Sequence, residues 1–174
     1  ISVLRGIEGQ LPLLAELRDI AGAQLEVANG QPGPAVSSLA NRLNAMSAAN
    51  KPLAIYWLGI AKLLSDQEPV QREGVLQLLH LPAVYGKQSP ELAAAALYRT
   101  MGTFHTWKDD SAQSAIRREL LGQYGQTYYG AKVLAELSPN SPPGTNPWTS
   151  PRALKPMAWM NEPTTISPQF HATE

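Results

Sequence analysis

The chain has 174 residues, with 14 Lys+Arg balancing 14 Asp+Glu and no Cys. That length suits one domain with a sizeable core, and the missing Cys excludes a disulfide framework, a thiolate metal site and a thiol nucleophile. Balanced charge without a basic block argues against nucleic acid or an anionic membrane as partner, and no apolar run reaches the roughly 20 residues of a spanning helix.

Prolines punctuate the chain, and up to Leu137 they fall mostly where a helix could start, since proline lacks only an N–H that the first helical position leaves unpaired. A first helix is expected from Pro12 to about Asn29-Gly30, with Leu13, Leu14, Leu17, Ile20, Ala21 and Leu25 on its apolar face. After a turn at Pro32-Gly33-Pro34, Val36, Leu39, Ala40, Leu43 and Met46 form a second stripe. Asn50 closes it, and Pro52 opens a third helix over 53–64. A fourth runs from Pro69 to about His80, with Val70, Val75, Leu78 and Leu79 inward. Ser89-Pro90-Glu91 supplies a capping hydroxyl, a first-position proline and an acid near the positive end of the dipole, opening a fifth helix that reaches about Trp107. Asp109-Asp110-Ser111 starts a sixth, ending near Tyr124-Gly125, and Thr127 caps a seventh that ends before Ser138-Pro139. No run has period 2, so the reading is all-α, with short connections that favour antiparallel helical hairpins.

Two units follow from this punctuation: a helical domain over 1–137 and an extended, Pro-rich tail over 138–174. A small or apolar residue followed by Gly recurs in alternate helices, at Ala21-Gly22, Leu58-Gly59 and Met101-Gly102, with intervals of 37 and 43 residues. Such spacing lies in the range of repeat architectures, and mid-helix Gly points to close approach of a neighbouring helix.

The stretch Ala54-Ile55-Tyr56-Trp57-Leu58-Gly59 is similar to the first helix of a tetratricopeptide repeat. Residues 112–121, followed by Tyr124-Gly125-Gln126-Thr127, are similar to a second repeat helix and its turn. The resemblance covers 52–137 best and is closest in flavour to bacterial envelope members, such as the Tol–Pal-associated repeat protein and outer-membrane assembly lipoproteins. It implies hairpins stacked as a short solenoid and a ligand on the face made by first helices. Counted from each Gly, that face holds Tyr56, Ile60 and Leu63 in one repeat and Arg99, Thr103 and Thr106 in the next. Lys62 and His105 stand where the family has an aromatic, Gly125 stands where it has a proline, and the Lys/Asn set of its carboxylate clamp is missing.

Catalytic patterns are sparse. His105 and Asp109 stand four apart, with Asp110 beside them, but a metal site needs a further ligand and Asp109 or Asp110 is better read as a helix cap. No Ser lies in a Gly-x-Ser-x-Gly turn, and the glycines at 6, 9, 30 and 33 lack the strand and lysine of a phosphate loop. Arg117-Arg118 reads as a solvated face paired with Glu119 or nearby acids. The aromatics Tyr56-Trp57, Phe104, Trp107, Tyr124, Tyr128 and Tyr129 either fill gaps between hairpins or line an amphipathic groove.

The tail holds eight of the 15 prolines and the aromatics Trp148, Trp159 and Phe170. Proline lowers the entropy cost of fixing an extended strand, so the tail is expected to dock across the hairpins or onto a neighbouring subunit, anchored by those aromatics. The resulting expectation is a non-catalytic scaffold that binds a protein or peptide within a larger envelope assembly, with no cofactor. The family resemblance, the absent Cys and the opening at Ile1 rather than Met, as in a processed or trimmed chain, lean toward a place outside the cytoplasm. A small-ligand protein or enzyme with a site around Tyr56, Arg99 and His105 is the alternative. A purely structural subunit is a third.

Overall fold

The computed structural model describes residues 2–137, with side chains from Pro12 onward. The tail over 138–174, with Trp148, Trp159 and Phe170, lies outside the described residues. Seven helices fill the described chain, and no strand occurs among these residues. They are α1 (Ser2–Ala28), α2 (Pro32–Arg42), α3 (Lys51–Leu63), α4 (Glu68–His80), α5 (Pro90–Thr106), α6 (Asp110–Tyr124) and α7 (Tyr128–Leu137). No described helix is long and apolar enough to cross a membrane.

Each helix packs on the next in chain order, most extensively α3 on α4 and α5 on α6. The odd-numbered helices also touch in series, α1 on α3, α3 on α5 and α5 on α7. This arrangement makes α3 and α5 central. Both are apolar nearly all round, as helices packed on several sides must be: residues 54–59 and 92–97 are buried without a break. Leu39, Leu78, Leu97 and Leu120 are fully enclosed and tie α2, α4, α5 and α6 into one core.

The helix starts follow simple chemistry. Pro lies in the first turn of α2, α3, α4 and α5, while Asp109 caps α6 by accepting from Ala112 N at 2.9 Å. Thr127 Oγ1 accepts from Gly130 N at 3.1 Å and donates to Tyr124 O at 2.6 Å, closing the turn before α7. Ser89 makes no such side-chain bond, so Pro90 and the acid Glu91 open α5 without a hydroxyl cap.

Four local expectations are corrected. The first helix starts at Ser2, ten residues before Pro12, and runs through that proline. The second starts at Pro32, inside the expected turn. The fourth does not stop at His80 but continues as a wider π turn over Leu81–Tyr85, where Pro82 has no N–H to offer the regular ladder. Arg117 and Arg118 do not share in ion pairs such as those that join Arg18 and Arg42 to Asp19, Lys62 to Glu73 and Arg72 to Glu68 among the described residues.

The glycine pattern and the apolar face of α1 are also corrected. Gly59 and Gly74 meet where α3 crosses α4: a Cβ on Gly74 would lie 2.9 Å from Gly59 O and 3.0 Å from Leu63 N. Gly22 and Gly102 face open space and bring no neighbour close. On α1, Ile20, Ala23 and Val27 are buried, while Leu14 (56% exposed), Leu17 and Leu25 (62%) face outward. The inward face also carries Glu16, whose carboxylate accepts from Ser47 N at 2.9 Å, Ser47 Oγ at 2.5 Å and Asn50 Nδ2 at 2.8 Å. Apolar period alone could not choose this face, because a saturated polar contact competes with the leucines for it.

Candidate functional site

A half-open cleft of about 540 Å³ lies between the C-terminal halves of α3 and α5, with the end of α1 and the start of α6 closing its sides. Tyr56, Ile60 and Leu63 come from α3, and Arg99, Thr103 and Thr106 from α5. All six residues carried over from the repeat resemblance therefore line one cavity. Local geometry accounts for this. In each helix the three positions stand three residues before, one after and four after the Gly, which places them on one face, and α3 and α5 lie side by side.

Val27 from α1, Trp57 and Leu64 from α3, Tyr98 and Met101 from α5, and Gln113 from α6 complete much of the wall. Val27 and Gln113 carried no signal in the sequence, because only packing of distant helices brings them here. Trp57 was legible as an aromatic, but its place beside the cleft was not. Its ring meets Tyr56 edge-on, with centroids 5.6 Å apart. Trp57 is only 7% exposed, and its buried Nε1 has no hydrogen-bond partner among the described residues.

The lining is uneven in chemistry. Ile60, Leu63, Leu64, Val27 and Met101 give an apolar wall. Opposite in character are Arg99, His105 and the hydroxyls of Thr103 and Thr106, which donate along their own helix to Arg99 O and Gly102 O, each at 3.1 Å. Among the described residues, no Asp or Glu lines the cleft. His105 thus has no carboxylate beside it in this lining to orient it as a base, so the arrangement offers hydrogen-bond donors and apolar surface. Asp109, the acid expected nearest to His105, is engaged as the cap of α6. Among the described residues, no group of three or more His, Asp or Glu comes together to hold a metal ion.

Aromatics elsewhere pack within the fold. Tyr98 stacks at a tilt on Tyr129, centroids 5.0 Å apart, and Phe104 meets Trp107 edge-on at 5.6 Å. Arg72 reaches from α4 over the Trp107 ring at 5.4 Å, linking the two hairpins outside the cleft. Burial and the nearby charge of Glu119 push the Tyr124 hydroxyl above its ordinary pKa of 10.0. That hydroxyl sits against Gly86, where any Cβ would collide with it. A second depression, about 460 Å³ between α3 and α4, is bridged by the Lys62–Glu73 ion pair at 2.9 Å.

Comparison of the chain with family models, with curated proteins and with solved structures finds no match.

Proposed function

We propose that this chain is a non-catalytic binding module, built as a short tetratricopeptide-like stack of hairpins, whose α3–α5 cleft receives a segment of a protein or peptide partner. The observation that carries the reading is the convergence of Tyr56, Ile60, Leu63, Arg99, Thr103 and Thr106 on one cavity. Aromatic, apolar and hydroxyl side chains held on two rigid central helices offer large contact area at little entropic cost. A second reading, a small-molecule carrier, is favoured by the volume of about 540 Å³, which falls within the range of roughly 300–1,000 Å³ common for such sites.

Peptide selection tests the proposal. Random twelve-residue peptides displayed on phage are panned against the full chain, and enriched sequences are synthesised and titrated. Binding peptides are expected to lose affinity at least about tenfold when Thr106, exposed at the cleft mouth, is replaced by Trp to fill it, with the thermal midpoint unchanged. Enriched peptides that bind the Thr106→Trp variant as well as the parent would remove the cleft from the function. Failure to enrich any peptide would sink the peptide reading and leave the small-molecule one.

A further inference from the structure

Resting on the peptide-binding reading, we infer that the α3–α5 cleft takes a segment of this chain's own tail, Pro156-Met157-Ala158-Trp159-Met160, which a foreign peptide must displace. The first support is the place where the described chain ends. α7 packs on α5, and α5 forms one wall of the cleft. Tyr98 of α5 lines the cleft and meets α7 at three positions. Its ring lies 5.0 Å from that of Tyr129, Lys132 Nζ stands 4.7 Å from its centroid, and its hydroxyl donates to Glu136 Oε1 at 3.4 Å. Leu137, the residue after Glu136, ends α7, so the tail begins beside the cleft wall. From Leu137 to Met157 the chain counts about 20 residues, a reach of up to about 70 Å. Neighbouring helix axes stand only about 8–10 Å apart, so that length crosses α5 with room to turn back.

The second support is the match between wall and segment. The apolar wall is spread over two helices, with Ile60, Leu63 and Leu64 on α3 and Met101 on α5, and Leu64 is 51% exposed. A wall this broad needs more than one apolar side chain to displace its water. Met157, Trp159 and Met160 supply three within four residues, and no other stretch of that length in 138–174 holds as many large apolar side chains. Trp brings a large contact area, and Met adapts to irregular gaps. Trp148 and Phe170 each stand alone between proline or polar neighbours. Charge agrees with the choice: residues 156–161 carry none, and no described Asp or Glu lines the cleft to receive a cation. Pro156 also brings one backbone N–H fewer into a largely apolar site.

Tethering makes a weak contact count. A segment held on a short linker acts at a local concentration on the order of millimolar. An occupant whose own dissociation constant is about a tenth of that value weakens a competitor roughly tenfold.

The test is run on full-length chains. A peptide with the sequence of residues 153–163, blocked at both ends and labelled with fluorescein, is titrated by fluorescence anisotropy. It is offered to the parent and to a tail variant carrying Met157→Ser, Trp159→Ser and Met160→Ser. The tail variant is expected to bind it at least about tenfold more tightly than the parent, and Thr106→Trp added to the tail variant is expected to reverse that gain. Equal affinity of parent and tail variant would overturn the tethered occupant. Undiminished binding after Thr106→Trp would overturn it too, by putting the segment outside the cleft. If phage-selected peptides bind the tail variant and the 153–163 peptide does not, the tail inference fails while the peptide-binding reading stands. Sedimentation velocity separates docking within one chain from docking onto a second copy. The parent is expected to run as a monomer, and a dimer that the tail substitutions dissolve would overturn docking within one chain.

Discussion

The α1–α2 hairpin and the α3–α4 hairpin are joined by opposite means. In the first, α1 turns three leucines outward and meets its neighbours through Ile20, Ala23 and Val27; Asp19 pairs with Arg42 of α2, and Glu16 is held by Ser47 and Asn50 of the connection to α3. In the second, two glycines let the backbones approach until there is no room for a Cβ, and Leu78 is wholly enclosed. Similar leucine content thus gives a seam held by polar contacts around α1 and a glycine-close seam between α3 and α4, with the Lys62–Glu73 pair at its edge. Of this pair, α3 also builds one wall of the cleft. Precision at a binding site needs rigid support, and the glycine contact supplies it on α3.

Leucine truncation gives the largest contrast. Leu78→Ala is expected to cost about 2–5 kcal/mol, because an enclosed cavity remains, whereas Leu25→Ala on the exposed face of α1 is expected to change stability by less than about 0.5 kcal/mol. Urea denaturation of both variants checks this. A large loss at Leu25 would show that the outward face of α1 is covered in solution.

Glycine substitution is expected to change sign between the hairpins. Gly22→Ala, facing open space, should stabilise by about 0.5–1 kcal/mol through helix propensity. Gly74→Ala should lose about 1–2 kcal/mol net, since Gly59 O and Leu63 N are backbone atoms that cannot rotate away. Equal gains at both positions would mean that α3 and α4 sit farther apart than described.

The turns offer a smaller contrast. Gly30 ends α1 in the left-handed region at φ 72°, with Gln31 N donating to Glu26 O at 2.9 Å. Lys108 ends α5 in the same way at φ 59°, with Asp109 N donating to Phe104 O at 3.0 Å. A Cβ makes that conformation costly, so Lys108→Gly is expected to stabilise by up to about 1 kcal/mol, read from the thermal midpoint.

Acid titration addresses the polar latch. Hydrogen bonds from the Ser47 side chain, the Ser47 backbone and Asn50 hold the Glu16 carboxyl below its ordinary value of 4.5. A depressed folded-state pKa contributes stability that is present above 4.5 and is lost as pH falls through the folded value. The parent chain should therefore lose stability below pH 4.5 more steeply than Glu16→Gln does, compared by urea denaturation from pH 6 to pH 3. Parallel curves would show that the latch does not bind its charge more tightly than water does.

Much of the helical punctuation was readable before the fold. Proline starts at α3, α4 and α5, an acid cap at Asp109 or Asp110, the Thr127 cap and the all-α class follow from local rules about N–H groups and side-chain oxygens. The repeat resemblance picked out Tyr56, Ile60 and Leu63 on α3 and Arg99, Thr103 and Thr106 on α5, and helical spacing places each set on one face. The sequence could not say that these two faces adjoin, that Val27 and Gln113 close the cleft, or that the Trp57 ring packs beside it with its N–H buried. Nor could it choose between the two apolar faces of α1 or tell Gly59 from Gly22 and Gly102. The length, neutral charge and missing Cys bounded the chemistry. Which surfaces meet depended on long-range packing, where Glu16 finding Ser47 and Asn50 counts as much as any leucine stripe.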